Sequence, residues 1–89
     1  MTTKTIRNDM VFRALKALSV ERRFMLVLDL LDGEKAYVHK IDASDVKILK
    51  EGGLVIQEGD PYGPGTAYLT PTPYAKRLID AIFVAEGIE

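Results

Sequence analysis

The sequence predicts a small α+β domain of three to four helices and one antiparallel β-hairpin. Apolar residues recur at helical spacing in residues 11–18, 24–31 and 75–83. A glycine pair, Gly52-Gly53, precedes a β-branched run, and the segment DPYGPG at 60–65 has the prolines and glycines of a hairpin loop. With 89 residues, 47% of them hydrophobic, the chain has the length and composition of one globular domain.

Two helices are predicted before the glycine pair. Asn8 or Asp9 can cap the first, which runs to about Leu18, while residues 1–7 are expected to be flexible. Ser19 is the candidate cap of the second, which is apolar almost all round and therefore central. The buried face of the first helix is predicted to hold Val11, Ala14, Leu15 and Leu18. The wider core is predicted to hold Phe24, Leu28, Leu31, Val46, Leu49, Leu54 and Leu69.

The stretch from Asp42 to Val55 predicts a short helix that turns directly into a strand. Asp42 or Ser44 can cap it, and the two glycines can end it. The ending Lys47-Ile48-Leu49-Lys50-Glu51-Gly52-Gly53-Leu54-Val55 resembles the recognition helix and first wing strand of winged-helix regulators of the ArsR and MarR type. The resemblance implies a winged helix with an abbreviated helix-turn-helix, because residues 35–41 are too few for the family's intervening helix. Those seven residues predict either one helical turn or a short strand.

The hairpin is expected to pair residues 54–58 with residues 66–70. Leu54 and Ile56 would then share a face with Ala67 and Leu69 across the ladder. Pro73 can occupy the first turn of a last helix over residues 74–86. All of these elements are expected to form a single domain over residues 1–89.

The charge is unevenly distributed along the chain. Residues 1–23 carry six basic and two acidic side chains, a balance of +4, whereas residues 51–89 have a balance of −4 and the whole chain −1. This asymmetry is consistent with a basic face for nucleic acid, or merely with solvated helix surfaces.

The resemblance implies a sequence-specific DNA-binding transcription regulator that acts as a homodimer on double-stranded DNA. Asp45 is predicted to face outward on the recognition helix together with Ser44 and Lys47. The candidate DNA contacts are Lys40, Ser44, Lys47, Lys50, His39 and Tyr62. Each can instead have a purely structural or solvating role, and the wing itself is acidic. The alternative function is a winged-helix module that binds protein rather than DNA.

The last helix is the candidate dimerisation surface, because its large apolar residues exceed one narrow stripe. The residues expected there are Leu78, Ile79, Ile82 and Phe83, with the first helix assisting. No enzyme is expected, since no nucleophile stands near a positioned base. No cofactor or metal is expected either, because the chain has one histidine and no cysteine. With no long apolar run, the sequence predicts a cytoplasmic protein outside the membrane.

Overall fold

The computed structural model describes the backbone of residues 2–59 and 67–87, and the side chains from Asp9 onward within those ranges. The predicted α+β class is confirmed, because these ranges contain α-helices and a three-stranded antiparallel sheet. The elements in chain order are α1 (Thr2–Leu18), α2 (Glu21–Leu31), β1 (Ala36–Tyr37), a 3₁₀ turn (Val38–Lys40), α3 (Ala43–Glu51), β2 (Val55–Glu58), β3 (Tyr68–Pro71) and α4 (Pro73–Glu86). None of the described helices is long and apolar enough to cross a lipid bilayer.

The sheet has the order β1-β3-β2, so its central strand is the last in sequence. Ala36 lies opposite Leu69, and Gln57 lies opposite Leu69 on the other side. The predicted inward face of β2 was wrong by one residue: Val55 is buried, whereas Ile56 is half exposed. Leu54 is also fully buried, but it precedes the strand and its carbonyl accepts from the Thr72 N–H, at 3.0 Å. Within β2, Val55 alone faces the core, and Ile56, Gln57 and Glu58 are exposed.

Residues 35–41 contain both a short strand and one helical turn, the two alternatives that the sequence left open. Ala36 and Tyr37 extend the sheet, and the next three residues close the 3₁₀ turn. The turn is too short to count as a full helix, so α2 and α3 are connected by a two-residue strand and a single turn. The end of β1 is held by the Val38 N–H, which donates to the Ala67 carbonyl at 2.9 Å.

Helix α1 packs through a narrower face than its spacing predicts. Ala14 and Ala17 are fully buried, while Leu15 is exposed rather than part of the core. The cause is a close approach to the end of α3. A Cβ built on Gly52 would lie 3.3 Å from the Ala14 Cα, so the two backbones are nearly in contact. Small residues on both sides permit this contact, which turns Leu15 outward.

The core lies between the helices and the sheet. Val46, Leu49, Leu54 and Leu69 are buried as predicted. Phe24, Leu28 and Leu31 are only half-buried and pack against the edge of the core. Their place in the centre of α2 is taken by Val27 and Leu30, which are buried instead. The buried face of α2 is therefore centred one residue earlier than predicted, on Val27 rather than on Leu28.

Caps mark the helix ends. Ser19 does not cap α2, because its Oγ donates back to the Lys16 carbonyl at 2.6 Å and Val20 occupies the cap position. Thr72 caps α4: its Oγ1 accepts from the Ala75 N–H at 3.0 Å and donates to the Gly53 carbonyl at 2.7 Å. This second bond ties the start of α4 to the end of α3. Pro73 occupies the first helical position, as predicted.

Candidate nucleic-acid interface

Helix α3 presents one polar side to solvent. Its cap is Asp42, whose Oδ1 accepts from the Ser44 N–H at 3.1 Å and from the Ser44 hydroxyl at 3.0 Å. Val46 and Leu49 anchor the opposite side in the core. The exposed residues of the helix are Ala43, Ser44, Lys47, Lys50 and Glu51. The helix therefore offers two lysines and one glutamate to a partner.

The candidate DNA contacts fall into three groups. Ser44 and Lys47 are exposed on α3, in the predicted orientation. Lys50 is exposed too, but its Nζ donates to the Gln57 Oε1 of β2 at 2.7 Å. His39 and Lys40 are exposed on the 3₁₀ turn that precedes α3. Tyr62 lies outside the described residues.

Asp45 was predicted to face outward, and this was wrong. Only 4% of the residue is exposed, because two arginines from the start of α2 surround its carboxylate. Arg22 donates twice, from Nε to Oδ2 at 2.6 Å and from Nη2 to Oδ1 at 2.9 Å. Arg23 donates from Nη1 to Oδ1 at 3.1 Å, and from Nε to the Ala17 carbonyl at 2.8 Å. One cluster therefore joins the end of α1, the start of α2 and the first turn of α3.

The hydrogen bonds of the cluster shift the pKa values of Asp45 and Arg22. The hydrogen bonds from Arg22 lower the pKa of Asp45 below its ordinary value of 3.8, against the opposing effect of burial, and those from Arg23 add to the lowering. The same hydrogen bonds raise the pKa of Arg22, and the nearby carboxylate of Asp42 raises it further. Asp45 and Arg22 thus stay ionised at neutral pH.

The sequence contains a signal for this cluster. Asp45 precedes Leu49 by four residues, and side chains four apart lie on the same face of a helix. Leu49 was predicted to be buried, so Asp45 had to face the same way. Two adjacent arginines at the start of a largely apolar helix supply the partners that such a buried carboxylate requires.

A small cleft separates α1 from α3. Its lining consists of Arg13, Lys16, Arg23, Ile48 and Glu51. The volume, about 220 Å³, is below the range of about 300–1,000 Å³ that small-molecule sites usually have. Arg13 and Lys16 are exposed at this cleft, so the basic side of α1 lies beside α3.

The candidate dimerisation residues of α4 are not equally accessible. Ile79 is buried in the core of its own chain and is therefore left out of any interface. Leu78, Ile82 and Phe83 are half-buried, and the Phe83 ring packs edge-on against Phe24, with centroids 6.4 Å apart. Larger exposed apolar side chains are found on α1, where Phe12 is 67% exposed and Met10 and Leu15 are also open to solvent. The first helix therefore carries more accessible apolar surface than expected.

A second groove runs between α2 and α4. Leu28, Leu31, Ile79 and Phe83 line it together with Asp29, Asp32, Lys76 and Asp80. Lys76 and Asp80 form an ion pair at 3.1 Å on the exposed side of α4. Among the residues that the structure describes, no group of three or more histidines or carboxylates could hold a metal ion.

Comparison with models of known protein families, with curated proteins and with solved structures gives no match. The function of this surface has therefore to be inferred from its own geometry and charge.

Proposed function

We propose that the chain is a winged-helix transcription regulator that binds double-stranded DNA as a homodimer. In this proposal α3 is the recognition helix and enters the major groove, while β2 and β3 form the wing. The order of elements supports it, because α2, a short turn and α3 are followed directly by an antiparallel pair of strands. The abbreviated turn replaces the additional helix that winged-helix regulators have at this place.

The observation that carries the proposal is the pairing of α3 with the basic side of α1. Lys47 is exposed on α3, and Arg13 and Lys16 of α1 line the cleft together with Ile48 and Glu51 of α3. Basic side chains on adjoining elements can contact successive phosphates and fix the orientation of a helix in the groove. Arg13 and Lys16 belong to the basic segment 1–23 of a chain whose net charge is only −1. The packing of α3 against α1 therefore supports a contribution of these two basic side chains to the interface.

The wing has a minor role in this proposal. Residues 54–70 contain neither lysine nor arginine, although a wing that enters the minor groove normally supplies one of them. The exposed Glu58 accepts a hydrogen bond from the Thr70 hydroxyl at 3.2 Å, which holds the carboxylate along the sheet. The affinity for DNA is thus assigned to α1 and α3.

Lys47→Ala is expected to weaken binding to duplex DNA. A contact with phosphate would weaken all sequences alike and reduce the slope of log K against log salt by about one, whereas a base contact would relax specificity at one position. Fluorescence anisotropy with labelled duplexes over a salt series measures both effects. Lys76→Ala is the matched control, because it removes a lysine from the exposed side of α4.

An unchanged affinity for Lys47→Ala at every salt concentration, with the circular dichroism spectrum intact, would remove α3 from the interface. Equal losses for Lys47→Ala and Lys76→Ala would show only a general effect of charge. Either result contradicts the proposed recognition helix.

The proposed homodimer uses the exposed apolar residues of α1 together with the half-buried edge of α4. To read two half-sites, the dimer has to hold its two copies of α3 about 34 Å apart, the spacing of successive major grooves on one face of DNA. Among the side chains of α1 that the structure describes, from Asp9 onward, Phe12 is the most exposed large apolar one. An exposed phenylalanine is tolerated singly, but a contiguous apolar patch usually marks an interface. Phe12 and Leu15 are three positions apart on α1 and therefore neighbours on its surface.

Phe12→Glu is expected to split the dimer without unfolding the subunit, because the side chain lies outside the core and a carboxylate in an apolar interface loses its hydration. Light scattering coupled to gel filtration at tens of micromolar protein measures the mass. Ala81→Glu, on an exposed position of α4, is the control and should remain dimeric. An unmodified protein that elutes as a monomer would contradict the dimer, and a dimer split by Ala81→Glu would place the interface elsewhere on α4.

A module that binds protein is the second candidate. The observation that favours it is the groove between α2 and α4, where an apolar floor is flanked by Asp29, Asp32 and Asp80. A duplex-binding assay separates the two functions, because a protein-binding module would show no affinity for DNA even at low salt.

A further inference from the structure

The Arg22–Asp45–Arg23 cluster contains one more positive charge than negative. Two guanidinium groups share a single carboxylate, so the cluster carries a formal charge of +1. Arg23 is buried, and its Nε and Nη1 are both engaged within the fold. Arg22 differs, because 64% of its side chain is exposed. The surplus charge is therefore presented to solvent at Arg22.

Arg22 is also held in one orientation. A guanidinium has five N–H groups, and Arg22 donates two of them, from Nε and Nη2, to the two oxygens of Asp45. Asp45 is itself fixed, because it is buried and also accepts from Arg23. Among the described residues, Nη1 of Arg22 makes no hydrogen bond, so three N–H groups of the fork are available for a ligand.

The position of Arg22 follows from its partner. Asp45 lies in the first turn of α3, so the guanidinium of Arg22 reaches across from α2 to the N-terminal end of the recognition helix. Exposed Ser44 and Lys47 lie on the same helix. A DNA backbone that runs along α3 would pass this end of the helix.

We propose that Arg22 binds a backbone phosphate of duplex DNA, and that Asp45 is the positioning residue that holds its guanidinium ready. This inference rests on the proposed function, since it adds a phosphate contact to the same interface. A guanidinium that is already oriented loses less side-chain entropy when it binds, and its planar fork matches the oxygens of a phosphate. The contact carries no sequence information and sets the register of α3 in the groove.

A purely structural cluster makes a different prediction. Arg23 and Asp45 are both buried and already join α2 to α3. Arg22 itself is largely exposed, and the buried Arg23 would remain as a partner of Asp45, so the loss of Arg22 would cost the fold less than the loss of Asp45. In that case Arg22→Ala would leave the affinity for DNA unchanged.

The experiment uses the full chain and a labelled 30-base-pair duplex of mixed sequence, titrated over a salt series. Arg22→Ala is expected to weaken binding about tenfold, as loss of a charge-assisted hydrogen bond does. The slope of log K against log salt should fall by about 0.9, the value for one phosphate contact. Lys76→Ala should leave the slope unchanged, because its ammonium is paired with Asp80 on α4.

Two further variants test the positioning. Arg22→Lys keeps the charge but loses the fork, so the salt slope should stay near that of the unmodified protein while the affinity falls. Asp45→Asn removes a negative charge, and electrostatics alone would then increase the affinity. The proposal predicts a decrease instead, because the guanidinium loses its fixed orientation. Circular dichroism and a thermal melt establish that each variant is folded under the conditions of the titration.

The outcomes separate this inference from the proposed function. Duplex binding that Lys47→Ala weakens and Arg22→Ala leaves unchanged would overturn the role of Arg22 alone. Equal affinities of Arg22→Lys and the unmodified protein would overturn the positioning by Asp45. Absence of duplex binding by the unmodified protein at low salt would overturn both the proposed function and the role of Arg22.

Discussion

Leu49→Ala is expected to lower the free energy of unfolding by about 2–5 kcal/mol, the range for removing most of a buried leucine side chain. Leu49 is fully buried on the inner side of α3, in the core that the helices share with the sheet. The substitution loses the burial of the removed carbons and leaves a cavity that rigid neighbours fill only partly. The total free energy of unfolding of such a domain is about 5–15 kcal/mol, so the loss is a large fraction of its stability.

Urea unfolding followed by far-ultraviolet circular dichroism measures the change. Leu15→Ala is the matched control, because it makes the same chemical change on the exposed side of α1 and should cost no more than about 0.5 kcal/mol. Leu28→Ala, at a half-buried position, is expected to fall between the two. A cost for Leu49→Ala no greater than that for Leu15→Ala would contradict the described core.

Asp45→Ala is expected to cost about 3 kcal/mol, the lower end of the range for breaking a buried ion pair. The reason is Arg23, which stays buried and keeps only its bond to the Ala17 carbonyl. The same unfolding measurement applies. Asp80→Ala is the control, because it breaks an exposed pair with Lys76 that is worth at most about 0.5 kcal/mol. Comparable losses for the two variants would show that the Asp45 cluster adds nothing beyond a surface pair.

The pKa of Asp45 adds a pH dependence to this prediction. Hydrogen bonds from Arg22 depress the pKa in the folded chain, whereas the unfolded chain keeps the ordinary value of 3.8. The stabilisation is therefore present above pH 3.8 and is lost as the pH falls through the lower pKa of the folded state. The Asp45→Asn variant has no carboxylate at this position, so its stability should not show this loss at low pH. The difference in stability between the unmodified protein and Asp45→Asn should shrink below pH 3.8, and a constant difference would contradict the pairing.

Several elements could be predicted from the sequence because their signals are local. The Asp42 cap, the Pro73 start and the glycine pair at the end of α3 depend on neighbouring residues only, and the structure has all three. Leu15 could not be placed correctly in the same way. Its exposure depends on the contact between Ala14 and Gly52, two residues that are far apart in sequence. Spacing along one helix identifies an apolar face but not the partner that selects its centre.

In the candidate interface, too, some features depend on neighbouring residues and others on residues far apart in sequence. Exposure of Ser44 and Lys47 followed from the outward side of a short helix. The burial of Asp45 depended on two arginines of another helix, more than twenty positions earlier. A charged residue on an apolar face could be detected, yet its partners could be identified only once α2 and α3 were seen to meet.

The order of strands in the sheet has a consequence for how the chain folds. The central strand β3 is the last to be synthesised, and both β1 and β2 pair with it rather than with each other. Helices α1, α2 and α3 can form early from local contacts, whereas the Ala36–Leu69 pairing closes a long loop and is slow on entropic grounds. While a ribosome extends the chain, helix α2 is thus exposed on the side that β3 later covers. A chaperone that recognises open apolar surface would find its target in the interval before β3 emerges.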